Sequence, residues 1–178
     1  MARYILVILV ILVMLASTVL VACTNGTTSS SRPEISRNEQ AEFQVGTYTL
    51  YRINGDRYPG MPVPENAKLL HGWEILESCT MSSTYDRALL FKAFEEGQEE
   101  MRGNDQPQVD CFQPRHGIRT VVDGLTTDYL ICFECLNFMV WENGEQTGGG
   151  VTTRSPAKTF DALLAECGSE GDPQPNPE

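Results

Sequence analysis

Apolar residues fall into several distinct patterns along this chain, and each predicts a different element. From Ile5 to Ala16 every residue is apolar, behind a single cation at Arg3, and small residues lead on to Cys23. Residues 24–40 then hold almost no apolar side chain, so they predict a flexible tether across 23–42. Gly46 to Ile53 alternates and is rich in β-formers, which predicts a strand, and Asn54-Gly55 supplies a turn after it. Tyr58 to Pro64 is too dense in proline for a helix or a central strand. A second strand is expected within Lys68 to Glu77, around Trp73, Ile75 and Leu76.

Helical periodicity appears twice. Ser83 can cap a helix over about 83–100, with Asp86 in the capping-box position and Ala88, Leu89, Phe91, Ala93 and Phe94 on its apolar side. The acidic run from Glu95 to Glu100 reads as the solvated end of that helix. The second helix, about 156–167, starts at Ser155-Pro156, repeats apolar residues at Phe160, Leu163, Leu164 and Cys167, and closes at Gly168. Between the helices, Gly117–Val122 and Thr127–Trp141 flank Asp123-Gly124, a strong hairpin signal. The second arm is apolar almost throughout, as a central strand covered on both faces would be. The fold class is therefore α+β: one domain over 43–168, an antiparallel sheet with its central hairpin at about 117–141, two helices packed on it, and a disordered tail at 169–178.

The N-terminal pattern is an address. Charge, apolar core and small-residue cleavage site in that order make a secretory signal peptide, here 1–22. Leu20-Val21-Ala22-Cys23 resembles the lipobox of bacterial lipoproteins. The resemblance implies cleavage before Cys23 and acylation of its thiol, palmitate included, and so a membrane anchor. The alternative is an uncleaved helix, since Ile5–Ala22 approaches the ~20 residues of a membrane span. Arg3 then exports the remainder all the same. Both readings place the domain outside the cytoplasm. Thr24, where an aspartate is absent, implies the outer membrane, facing the periplasm, if the cell has two membranes.

Charge narrows the partners. Cleavage removes Arg3, the only charge before Cys23, and takes the formal charge from −11 to −12. Phosphate repels such a chain, so nucleic acid is not expected as a partner. The lipid remains its membrane contact.

Candidate chemistry sits on the hairpin. If Asp123 and Gly124 form a two-residue loop, Val122 faces Leu125, Arg115 faces Cys132 and Cys111 faces Leu136. A one-residue change of loop pairs Cys111 with Cys135, or His116 with Cys132. Either way Cys111, His116, Cys132 and Cys135 reach one end of the sheet. These four are a candidate zinc site, because three thiolates and one imidazole fill a tetrahedral shell. The structural alternative is a disulfide from Cys111 to Cys132 or Cys135, favoured by an oxidising compartment. Cys132 and Cys135 themselves, on one extended strand, would lie ~10 Å apart on opposite faces and could not be bridged. With Cys23 lipidated, five cysteines remain, an odd number. Cys79 can pair with Cys167, or Cys167 can stay a buried thiol on its helix face.

Arg115, His116 and Arg119 form a cationic stretch on an acidic protein, a candidate ligand or anion site, since guanidinium forks suit carboxylate and phosphate. Equally, Arg115 or Arg119 can pair with Glu134, Asp128 or Asp110. His71 reads as a half-buried turn residue. No GxSxG, phosphate loop or HExxH motif is present, and no cofactor other than the alternative zinc is implied.

The strings CFQPRHGIR (Cys111–Arg119) and DYLICFEC (Asp128–Cys135), with YPGMPVP upstream, resemble a group of uncharacterised bacterial exported proteins and lipoproteins. That resemblance carries no activity. The expected function is a lipid-anchored envelope protein with a non-enzymatic binding or structural domain, its partner an envelope protein or a small anionic ligand. The alternatives are a zinc domain on 111–135 and a hydrolase or thiol redox enzyme using His116 and Arg119.

Overall fold

The computed structural model describes residues 32–102 and 111–169. The signal peptide, Cys23, Asp110 and nearly all of the expected tail lie outside them. Among the described residues no helix is long and apolar enough to cross a membrane.

In chain order the elements are α1 (Arg37–Ala41), β1 (Thr47–Ile53), β2 (Leu69–Leu70), β3 (Trp73–Thr80), α2 (Thr84–Met101), β4 (His116–Val122), β5 (Leu125–Cys132), β6 (Asn137–Glu142), β7 (Glu145–Val151) and α3 (Ala157–Ser169). The strands form one antiparallel sheet of order β2-β3-β1-β4-β5-β6-β7. This is a single α+β domain, as the alternation and periodicity predict. β1 enters beside β4 and β3, so the expected hairpin does lie at the centre of the sheet.

The register of that hairpin is set where the sequence places it. Val122 pairs with Leu125 across Asp123-Gly124, both at positive φ (50° and 82°), as a two-residue hairpin loop requires. The second arm, however, is not one strand. It stops at Cys132, turns through Phe133–Leu136, and returns as β6 with Asn137 opposite Cys132. No glycine marks this turn. Leu136 takes the left-handed conformation itself, at φ 57°.

Two further differences concern the edges. The region read as tether carries α1, whose capping box joins Ser36 and Glu39, with Ile35 buried in the core ahead of it. Lys92 of α2 holds Glu39 at 2.9 Å. The folded unit accordingly starts at Pro33 rather than Phe43. The expected strand at 68–77 is in fact a short hairpin, β2 and β3, turning at His71-Gly72 with φ 48° and 86°.

The sheet buries both faces. On one, Leu50, Ile118, Ile131, Phe133 and Phe138 pack beneath Leu90 and Phe94 of α2 and Phe160 and Leu164 of α3. On the other, the sheet curls so that Leu70 and Trp73 join Tyr51, Ile53 and Leu130. Gly117 permits this: a Cβ there would stand 2.9 Å from Leu70 Cδ2. A disulfide joins Cys79 of β3 to Cys167 of α3, with Cα atoms 5.8 Å apart, and fastens the last helix to the sheet.

Ser83 Oγ accepts from the Asp86 amide and caps α2 as expected. Farther along, Gly97 is where α2 touches the link between β7 and α3. A Cβ there would meet Pro156 Cγ at 2.5 Å and Thr152 Oγ1 at 2.7 Å. Gly97→Ala is therefore expected to destabilise the protein by up to roughly 2 kcal/mol, since overpacking of ~1–3 kcal/mol opposes the ~1 kcal/mol of helix propensity gained and the close contacts put it at the upper end. Urea unfolding at pH 7 checks this, and an unchanged or raised midpoint would refute the close contact.

Candidate functional site

The cross-strand rows of the sheet arrange the candidate residues into three groups. The first is at the end of the sheet where β5 turns into β6. Cys132 ends β5 and Cys135 lies within the tight turn that follows, so the two α-carbons are only 5.1 Å apart. The expectation of two cysteines on one extended strand fails because the chain reverses between them. Cys111 approaches from the segment before β4, its α-carbon 5.8 Å from that of Cys135. Both the Cys111 and the Cys132 sulfur lie against the Cys135 sulfur at disulfide range. Cys132 and Cys135 are buried, whereas Cys111 is exposed. The Cys135 amide donates to Cys132 Sγ at 3.1 Å. Asn137 Nδ2 donates to the Cys111 carbonyl at 3.1 Å and holds that segment beside β6.

The second group lies under α3. Register puts Glu77, Arg52 and His116 side by side on β3, β1 and β4. Arg52 donates to Glu77 at 3.1 Å and to Asp161 of α3 at 3.0 Å. His116 Nε2 is 3.1 Å from the same Asp161 oxygen, and its ring sits among Phe133 and Phe160. Its Nδ1 is buried and finds no partner among the described residues. That asymmetry selects the neutral tautomer with the proton on Nε2. Burial pushes the imidazole below its ordinary value, against the pull of the Asp161 carboxylate. For Asp161, burial works to raise its pKa, but the bonds from Arg52 and His116 outweigh it and hold it low.

The third group occupies the opposite face. Arg119 of β4, Asp128 of β5 and Trp141 of β6 form one cross-strand row. Arg119 makes a two-pronged bond to Asp128 at 2.7 and 2.8 Å. Asp128 is 2% exposed, and a charge so buried needs close partners. Its second partner is His71, whose Nε2 is 2.7 Å from Oδ2 and whose ring stacks on Trp141 with centroids 4.3 Å apart. The curl of the sheet brings His71 over from the β2–β3 turn.

Arg115 belongs to none of these groups. It forks onto Asp56, in the turn after β1, at 2.8 and 3.0 Å. The three residues of the candidate anion site, Arg115, His116 and Arg119, thus face three separate carboxylates: Asp56, Asp161 and Asp128. Of the four candidate zinc ligands, the three cysteines come together, while the Nε2 of His116 is engaged by Asp161. Among the described residues no group of three or more His, Cys, Asp or Glu side chains is arranged to hold a metal ion.

Sequence reasoning missed Asp56, Asp161 and the reach of His71. The Arg119–Asp128 pair was legible, because both positions follow directly from the hairpin register. His71 carried a weaker sign, a histidine-glycine pair between Leu69-Leu70 and Trp73, which fits a tight hairpin. Nothing in the sequence points to Asp161, which meets His116 only through tertiary packing.

No protein-family model, curated protein or solved structure matches the chain.

His116 makes stability pH-dependent with a definite sign. Because its folded-state pKa is lowered, the unfolded chain binds the proton more readily below the ordinary histidine value of about 6.5. Stability is therefore full above that value and falls as pH drops from it toward the folded-state pKa. Asp161, also lowered, adds a further loss below its usual carboxylate range. Urea midpoints from pH 7.5 to 5 should decline for the native chain, and the decline should flatten in His116→Gln. An equal slope in both proteins would show that this imidazole is not the group responsible.

Proposed function

We propose that this chain is an exported protein, anchored by lipid on Cys23, whose α+β domain is a non-enzymatic binding or structural module of the bacterial envelope. The observation that carries the reading is the disulfide from Cys79 to Cys167. Bridges of this kind persist in oxidising compartments, where the lipobox at Leu20–Cys23 would send the chain. Support for binding rather than catalysis comes from the pairing of the charged candidates. Arg115 with Asp56, Arg119 with Asp128 and His71, and His116 with Asp161 and Arg52 tie separate elements together. Such pairs are suited to holding a shape.

The surface that suits a partner is the proline-rich loop after β1. Tyr58 is 50% and Met61 48% exposed there, while Arg57 and Arg115 are paired with Glu74 and Asp56. Tyr58 packs on Trp73 and its hydroxyl accepts from Gln113, so the loop is held in place by the sheet. An envelope protein offering an apolar patch would match it.

Bacteria expressing the full chain and fed labelled palmitate should yield a labelled, membrane-bound product beginning at Cys23. Cys23→Ser should yield an unlabelled one. A wild-type protein that keeps its first residues and carries no label would end the lipoprotein reading.

A second reading has one observation in its favour, the gathering of three sulfurs with an amide aimed at one of them. Zinc held by Cys111, Cys132, Cys135 and His116 would use that cluster, with His116 giving up Asp161. Native mass spectrometry of the chain grown with zinc would show one bound metal whose removal frees three thiols together. A zinc-free mass with a bridge at Cys135 would exclude it.

A further inference from the structure

We infer that Cys111 is a reversible S-thiolation site for low-molecular-weight disulfides, unmasked by disulfide exchange with Cys132 through the shared sulfur of Cys135. The inference stands apart from lipidation and rests on the cysteine cluster alone.

Valence sets the first condition. A sulfur in a disulfide bonds to one other sulfur, yet that of Cys135 lies against two. The two bridges are therefore exclusive, and whichever forms leaves a third cysteine beside it. With Cys111 bridged to Cys135, the free thiol is Cys132, which is fully buried. With Cys132 bridged to Cys135, the free thiol is Cys111, which is exposed.

The backbone keeps all three in place without help from either bridge. Cys132 pairs with Asn137 across the turn, Asn137 grips the Cys111 carbonyl, and the Arg115 amide donates to Ile131 at 3.1 Å. Opening one bridge thus leaves its partner within reach. The Cys135 amide donates to Cys132 Sγ at 3.1 Å, which holds that sulfur beside the bond it attacks in the exchange.

The steps balance without an added oxidant. Cys132 gives up its proton and its thiolate attacks the Cys135 sulfur. The 132–135 bond forms as the 111–135 bond breaks, and Cys111 departs as a thiolate. No net oxidation occurs. The exposed Cys111 thiolate then attacks a small disulfide, forming one mixed disulfide and releasing one small thiolate. An excess of the small thiol reverses that step and returns Cys111, which can attack Cys135 and close the first bridge again.

The test uses the full chain in detergent with hydroxyethyl disulfide as the probe. After acid quenching and alkylation, trypsin cuts between Cys111 and Cys132, and a glutamate-specific protease cuts after Glu134, so each connectivity gives its own peptides. The expected result is one adduct, on Cys111, always in molecules that carry the 132–135 bridge. Cys132→Ser should hold the 111–135 bridge and lower adduct formation by roughly tenfold or more, since no internal thiol remains to open it. Cys111→Ser should give no adduct and only the 132–135 bridge, which keeps the proposal testable if the other variant fails to fold. An intact Cys79–Cys167 peptide pair certifies the fold in each case. An adduct on Cys132, no adduct on the wild type, or three free thiols would each overturn the inference.

Discussion

The two-residue loop at Asp123-Gly124 is the constraint on which the other arrangements depend. It makes Val122 face Leu125, and every pair up the hairpin follows from that one match. A slip of one residue would exchange the faces of a strand and send a buried charge into the apolar layer. With the observed register, Ile118 and Ile131 look toward the helices, while Arg119 and Asp128 look the other way and meet directly. The same count brings Ile131 beside His116 and Cys132 to the mouth of the next turn. Two glycines, one in the loop and one at position 117, let this happen.

Each face then uses its polar residues differently. Under α3, the chain Glu77–Arg52–Asp161–His116 runs along the margin of an aromatic layer, and the imidazole it holds is neutral because water is excluded. On the curled face, the buried Asp128 is bonded by Arg119 and His71 together. Removing either partner would leave a charge with poor solvation, so such clusters fix one geometry more than they add stability. The sulfur cluster lies at the boundary of these layers, with Phe133 of the turn packed in the core and Cys111 at the surface.

How far the sequence disclosed this depended on what signal each element carries. β1, α2 and α3 announce themselves by alternation or by a cap and an apolar stripe, and they form where expected. The β5–β6 turn was hidden because three of its four residues, Phe133, Cys135 and Leu136, are apolar and none is glycine. Periodicity reads them as strand, and only packing can induce Leu136 to adopt a left-handed backbone. β7 was hidden for the converse reason: Gly148 to Gly150 looks like a loop, yet Gly150 makes room for Phe138, whose ring would stand 2.8 Å from a Cβ there. α1 escaped notice because its capping box lies in a hydroxyl-rich stretch. For the site, pairs within one hairpin could be counted out from the loop, whereas contacts made by a distant helix could not.

The order of the cysteines along the chain bears on how the molecule matures. Of the five cysteines after Cys23, synthesis delivers Cys79 first, then Cys111, Cys132 and Cys135, and only afterwards Cys167, which is the partner of Cys79. If the chain emerges from its N-terminus into an oxidising compartment, as proposed, Cys79 meets three wrong partners before the right one exists. Native connectivity would then call for bonds that can be undone and remade until α3 arrives, which is the service a disulfide isomerase performs.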